Sequence, residues 1–214
     1  MKYEAVVFDM DGTLLDSVPA ITEIVNSVIA ETGMEPKTED EIRHAVGYGI
    51  EQLLRNIGVP ESSIEILCEK VADSYEKSSA DAISCFPGVE RIIAEAEENG
   101  LKTAVLSNRP TEGLRQIVAE HMAHYGFQSV LGSAPGKPAK PDPEVLLQTG
   151  KVLGVKPEKL VMVGDGKPDI MAANSAGAEH VAVLWGNCTR DELESAGARN
   201  FAETPEDVIR FILQ

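Results

Sequence analysis

The chain reads as a doubly wound parallel α/β sheet interrupted once, near its start, by a block of helices. Three observations carry that expectation. Short runs rich in Val and Leu recur at 4–8, 102–107, 127–132, 159–164 and 180–185. They are apolar on both faces with little strict alternation, the pattern of parallel strands covered on both sides. The later runs are separated by amphipathic stretches of helical length, as βαβ units require. From about residue 18 to residue 84 no strand pattern appears, and helical patterns follow one another.

Taken in order, "EAVVF" (4–8) is the first strand and passes straight into "DMDGTLLDS" (9–17). Helical patterns then run over 18–33, 38–47, 50–58 and 60–80, and "FPG" (86–88) closes the insert. The expected division is an α/β core of residues 1–16 and 85–214 with a helical insert of 17–84. The core continues with a helix over 88–100, stopped by Gly100, the strand 102–107, a helix over 111–126 and the strand 127–132. The helix 142–154 has Asp142 as N-cap and Pro143 at its first helical position. The strand 159–164, the helix 167–177, the strand 180–185 and the helix 204–213, opened by another cap-and-proline pair, complete the chain. No internal repeat or low-complexity segment interrupts this order.

Composition narrows the function classes. The chain has 214 residues, 43% apolar and 25% charged, enough for one large domain or a core with a smaller insert. A net charge of -16 repels nucleic acid and anionic membranes, so an anionic substrate must be met by local cations. No apolar run approaches a membrane span, and "MKYEAVVFD" does not read as a signal peptide. Cys68, Cys85 and Cys188 are far apart and odd in number, as expected of thiols in a reducing cytoplasm. The expectation is a cytoplasmic monomer or homodimer whose partner is a small metabolite.

In an open parallel sheet the active crevice lies beyond the carboxyl ends of the strands. Past the first run stand Asp9, Asp11, Gly12 and Thr13; past the second, Ser107, Asn108 and Arg109. The segment entering the helix 142–154 holds Lys137 and Lys140, and the fourth run is followed by Asp165, Lys167 and Asp169. Carboxylates that close repel each other and resist leaving water. A shared hard divalent cation offsets the repulsion, and Mg²⁺ takes few protein oxygens while bridging to phosphate. Any one of these acids alone would read as a cap or turn residue. Asp16 reads that way, as a cap or hinge of the insert's linker, and the four histidines show no ligand spacing.

These residues carry a resemblance. "DMDGTLLDS" (9–17), "VLSNRP" (105–110), "AKPDPEVLL" (139–147) and "VMVGDGKPDIMAANSAG" (161–177) resemble, in order, the four motifs of the haloacid dehalogenase superfamily. The resemblance spans essentially the whole chain. It implies a Rossmann-like core with an α-helical cap, and a Mg²⁺-dependent phosphatase acting on a small phosphorylated metabolite. Residue by residue it implies Asp9 as nucleophile and Asp11 as general acid and base, with a negative neighbourhood raising the Asp11 pKa. Mg²⁺ would take the Asp9 carboxylate, the Asp11 main-chain carbonyl and Asp165, with Asp169 a further ligand through water or an orienting partner. Ser107 and backbone amides near Gly12 and Asn108 would hold phosphoryl oxygens. Arg109 would join the substrate contacts, and Thr13 would bond Asp9 or cap the following turn. Lys140, a better match than Lys137, would neutralise charge on the phosphoryl group and on Asp9. The cap loop within "RHAVGYGIEQLL" (43–54), with Gly47 and Tyr48, would set specificity, and Arg43 and His44 are looser candidates for a substrate carboxylate.

"SNRP" and "VGYG" are most similar to phosphoglycolate phosphatases, which typically show T-N-K-P at the first of these places. Other sugar phosphates, nucleoside monophosphates and pyrophosphate remain open as substrates. A β-phosphoglucomutase-like phosphotransferase shares the same motifs. A receiver-like phosphorylation switch also sets acids and a lysine at strand ends, without the long insert.

Overall fold

The computed structural model describes residues 1–77 and 83–214, so the end of the helical pattern read to residue 80 lies outside the described residues. The strands are β1 (Ala5–Phe8), β2 (Leu15–Asp16), β3 (Ser84–Cys85), β4 (Lys102–Pro110), β5 (Ser129–Ser133), β6 (Leu160–Gly164), β7 (Glu179–Val183) and β8 (Phe201–Ala202). Six of them form one sheet in the order β5-β4-β1-β6-β7-β8, with every pair parallel. β1 is central: Phe8 lies opposite Val105 of β4 and Val163 of β6, so three strands end side by side.

The alternation of β1 shows why the sheet is covered twice. Val6 and Phe8 enter one core with Val89, Ile92, Leu114 and Val208. Ala5 and Val7 enter the other with Val145, Leu146 and Ala173. The first layer is α5 (Val89–Glu98), α6 (Thr111–His121) and α10 (Pro205–Ile212); the second is α7 (Glu144–Leu153) and α8 (Lys167–Ala176), while α9 (Arg190–Ser195) lies beyond β7.

Between β2 and β3 run α1 (Val18–Ile29), α2 (Glu39–Ala45), α3 (Ile50–Asn56) and α4 (Glu61–Lys77). They bury their own apolar cluster, which includes Ile21, Val25, Ile42, Leu54 and Val71. The two chain crossings into this block pair antiparallel, Leu15 with Cys85 and Asp16 with Ser84. Among the described residues, no helix is long and apolar enough to cross a membrane.

Several details differ from the sequence reading. β2, β3 and β8 are two residues each, too short for a periodic signal, and α9 is a single capped turn and a half. α6 ends at His121 rather than near 126, because Met122 leaves helical geometry at φ -135 and buries completely. α7 starts one residue later than expected: Pro143 is the cap, and the Asp142 carboxylate accepts the Glu144 N–H at 2.9 Å. His121 Nε2 and His180 Nδ1 are buried without a hydrogen-bond partner, so neither ring is fully satisfied.

Candidate active site

The parallel register carries Asp9, Ser107 and Asp165 to one edge of the sheet. The Asp9 N–H donates to Val163 O at 2.9 Å, which extends the β1–β6 ladder one residue past the strand. The chain then turns sharply, and the N–H groups of Leu14 and Leu15 both donate to Met10 O at 3.0 Å. Gly12 makes the turn possible with φ +87, and a Cβ there would stand 2.2 Å from Asp165 Oδ2.

Asp9, Asp165 and Asp169 are buried, and each offers a carboxylate oxygen within 4.8 Å of the others. Lys140 is buried among them. Its Nζ lies 2.7 Å from Asp9 Oδ1 and 2.6 Å from Asp169 Oδ1, and donates to Leu106 O at 2.8 Å. Three carboxylates against one ammonium leave a surplus of negative charge. Burial and the neighbouring Asp169 push Asp9 well above the usual carboxylate range, outweighing Lys140. Burial and Asp169 likewise push Asp165 up to about 7. Lys140 is held protonated: burial opposes its charge, but Asp169 and Asp9 outweigh it. A dry set of hard oxygen donors with surplus negative charge fits a small divalent cation.

Asp165 is oriented on both oxygens, by Thr13 Oγ1 at 2.8 Å on Oδ1 and by the Asn187 N–H at 2.7 Å on Oδ2. Thr13 therefore bonds Asp165, where the sequence allowed Asp9 or a turn. Asp169 accepts the Gly166 N–H at 2.9 Å on the oxygen that Lys140 does not use. Trp185 Nε1 donates to Thr13 O at 3.0 Å.

Asp11 stands apart from this cluster. Its carboxylate takes Ser17 Oγ at 2.6 Å, Arg109 Nη2 at 2.6 Å and Arg109 Nε at 3.1 Å. The expected negative neighbourhood is thus corrected. Burial pushes the Asp11 carboxyl upward, but the Arg109 guanidinium outweighs it and holds the carboxyl below its usual range. Arg109 also lies over the Tyr75 ring, 4.3 Å from its centroid.

The other sequence candidates separate. Asn108 is a strut: Nδ2 donates to Gly47 O at 2.9 Å and Lys140 O at 2.7 Å, while Oδ1 accepts the Lys140 N–H at 2.9 Å. Ser107 Oγ accepts the Arg109 N–H at 3.1 Å. The Gly12 N–H is taken by Leu15 O at 2.8 Å, so Gly12 serves close approach rather than anion binding. Asp9, Asp11, Ser107, Asn108 and Arg109 line one wall of a cavity open to solvent. Ile21, Val46, Gly47, Ile50, Leu53 and Tyr75 of the helical block line the other.

Tyr48 is not on that wall; it borders a second cleft with Arg43, His44 and Lys167. Arg43 Nη1 donates to Asn187 Oδ1 at 3.1 Å, and Lys167 Nζ lies 3.5 Å from Glu192. Lys137 is exposed in a turn, away from the acids. Asp16 sits in β2 with its Oδ1 buried and without a hydrogen-bond partner. Ser17, Tyr75 and Asn187 were not singled out in the sequence. Asn187 follows the strand β7 by a few residues, and the rule that strand ends face the crevice could have found it.

Comparison with known proteins agrees with this geometry. Residues 6–183 match the haloacid dehalogenase-like hydrolase family. Phosphoglycolate phosphatase 1 of Pseudomonas aeruginosa is 31% identical over 189 residues, covering 85% of this chain and 69% of the relative. N-acetylmuramic acid 6-phosphate phosphatase of the same organism is 29% identical, covering 98% of this chain and 94% of the relative. A candidate phosphoglycolate phosphatase from Lactobacillus delbrueckii subsp. bulgaricus has the same fold with a TM-score of 0.91 at 28% identity, over 99% of both chains. The chain is a member of the haloacid dehalogenase-like hydrolase family.

Proposed function

We propose that the chain is a Mg²⁺-dependent phosphatase that hydrolyses a small phosphate monoester, phosphoglycolate-like or a sugar phosphate, through an aspartyl-phosphate on Asp9. One observation carries the reading: a buried carboxylate lies at the cavity wall with one oxygen fixed by Lys140 and two further acids beside it. Asp9 Oδ1 is held by Lys140, and Oδ2 makes no hydrogen bond among the described residues, so Oδ2 is the oxygen free to attack phosphorus. The P–O bond to the leaving alcohol breaks, and Asp11 gives that oxygen a proton. Asp11 then takes a proton from the water that attacks the aspartyl-phosphate, which releases phosphate and restores Asp9. The pair with Arg109 favours the carboxylate form of Asp11, the form the second step uses; the proton given in the first step must be taken up by Asp11 from solvent before transfer.

Mg²⁺ on the carboxylates of Asp9 and Asp165 and the main-chain carbonyl of Asp11 would neutralise the phosphoryl oxygens. Asp169 orients Lys140 through Oδ1 while its Oδ2 accepts the Gly166 N–H. Lys140 keeps its charge in the dry site and sets it against the phosphoryl group. Ser107 lines the cavity and contacts phosphoryl oxygens. The helical block acts as the cap, with residues 17–84 as its extent. It is joined to the core through Asn108–Gly47 and Arg43–Asn187, and it forms the cavity wall facing Asp9.

The test is phosphate release from phosphoglycolate, hexose phosphates, nucleotides and pyrophosphate, with Mg²⁺ and with chelator. Release that needs Mg²⁺ and favours one ester supports the reading. Phosphoryl transfer between sugar hydroxyls without release would replace it by a mutase. A stable phosphoprotein without turnover would replace it by a switch.

A further inference from the structure

We propose that Arg109 selects substrates whose leaving group carries a carboxylate beside the phosphate ester, and that it binds this carboxylate while still holding Asp11. The proposal rests on the phosphatase reading above and adds the residue that sets its specificity.

The geometry of the guanidinium carries it. Arginine has five N–H donors in a planar fork with two usable edges. Asp11 occupies the side edge through Nε and Nη2. The end edge, Nη1 with the second hydrogen of Nη2, makes no hydrogen bond among the described residues. Arg109 lines the cavity, yet its side chain is only 2% exposed. Tyr75 fixes the plane from the helical side at 4.3 Å, and the Ser107 side chain fixes the backbone at Arg109. That edge is oriented and makes no hydrogen bond among the described residues, yet it is not among the fully buried unpaired polar atoms, so it faces the cavity where a ligand can reach it.

The rest of the cavity says what that ligand is. Among its described lining residues Arg109 is the only cation, and Ile21, Val46, Ile50 and Leu53 offer no polar side-chain group. Lys140 is taken up by Asp9 and Asp169. In a chain of net charge -16, a second anionic group on the substrate would find one place to be neutralised in this cavity. A planar carboxylate matches the free edge of the fork in a bidentate pair. One guanidinium would then bridge the substrate's carboxylate and the carboxylate of Asp11, setting the proton donor at a fixed place beside the leaving oxygen. Phosphoglycolate, the substrate in the name of a relative, carries its carboxylate one carbon from the ester oxygen.

The experiment compares phosphoglycolate with 2-hydroxyethyl phosphate, the same ester with a hydroxymethyl group in place of the carboxylate, on the wild type, Arg109→Gln and Arg109→Lys with Mg²⁺. The wild type is expected to favour phosphoglycolate by roughly 10²-fold or more in kcat/KM, chiefly through KM. Arg109→Gln should bring the two esters within about 10-fold of each other, and Arg109→Lys should fall between, because it keeps the charge but loses the fork. As a measurement independent of the variants' folding, glycolate should inhibit the wild type competitively while ethylene glycol should not. Equal kcat/KM for the two esters in the wild type would overturn the proposal. So would an equal loss on both esters in Arg109→Gln, which would make Arg109 a partner of Asp11 alone. Hydrolysis of other esters but of neither of these would overturn it and leave the phosphatase reading standing; hydrolysis of no ester at all would remove both.

Discussion

Replacing Lys140 by Met keeps the length and apolar stem of the side chain and removes one buried charge. The side chain is 1% exposed, so water cannot take over its role. The substitution deletes the contacts with Asp9 and Asp169 and leaves the Leu106 carbonyl without its donor. Breaking a buried ion pair from one side costs about 3–5 kcal/mol. The acid cluster has one escape, which is to take up a proton; at pH 7 this costs about 4 kcal/mol for an ordinary carboxylate and sets a ceiling on the charge penalty. The expected loss in chelator at pH 7 is therefore about 4 kcal/mol, smaller at pH 5 where the escape is easier. Urea unfolding reads it directly: with a slope of about 2 kcal/mol/M, the midpoint should fall by ~2 M. Adding Asp169→Asn removes a carboxylate along with the ammonium, and the double variant should regain ~1–3 kcal/mol over the sum of the single effects. A Lys140→Met midpoint equal to that of the wild type in chelator at pH 7 would refute the charge accounting on which the site rests.

Four further outcomes follow from the same site. Asp165, raised to about 7 by burial and Asp169, keeps its proton in the cation-free folded protein at pH values where the unfolded chain has lost it. Stability in chelator should thus be highest at the acid end and fall as pH rises from about 4 through 7, by up to ~3 kcal/mol between pH 5 and 7; urea midpoints at the two pH values check this, and Mg²⁺ should flatten the difference. Gly12→Ala drives a Cβ to 2.2 Å from Asp165 Oδ2 at a positive φ, and should cost ~2–4 kcal/mol in denaturation and most of the Mg²⁺-dependent stabilisation. Asp9→Asn should abolish turnover yet be at least as stable as the wild type in chelator, since it removes one charge from a repulsive set. Asp11→Asn should still form phosphoenzyme and process it slowly, which rapid-quench labelling would follow.

The acids were legible because the sheet itself explains them: parallel strands end together, and residues just past those ends share a crevice. Lys140 was legible from its place before α7, and the structure sets it rather than Lys137 among the acids. The pairing of Asp11 with Arg109 was not legible, since it joins side chains 98 positions apart and reverses the local charge that the neighbouring acids imply. Tyr75 was hidden in an amphipathic helix, where an aromatic residue reads as core, and it is indeed buried there beside the guanidinium. Asn187 escaped because its backbone N–H, which any residue but proline carries, makes the contact to Asp165. The β2–β3 ribbon and β8 escaped because two residues cannot display a period. Tyr48 was read as a site residue from the glycines around it, but those glycines turn its side chain toward the second cleft.

The most direct measurement is to stop a reaction with the preferred phosphate ester and Mg²⁺ in acid within milliseconds and to map the phosphorylated peptide by mass. The account predicts one peptide, residues around Asp9, heavier by one HPO₃, with the label lost in hydroxylamine and absent in Asp9→Asn. Phosphate release at full rate with no labelled intermediate, or a label on any other residue, would contradict it.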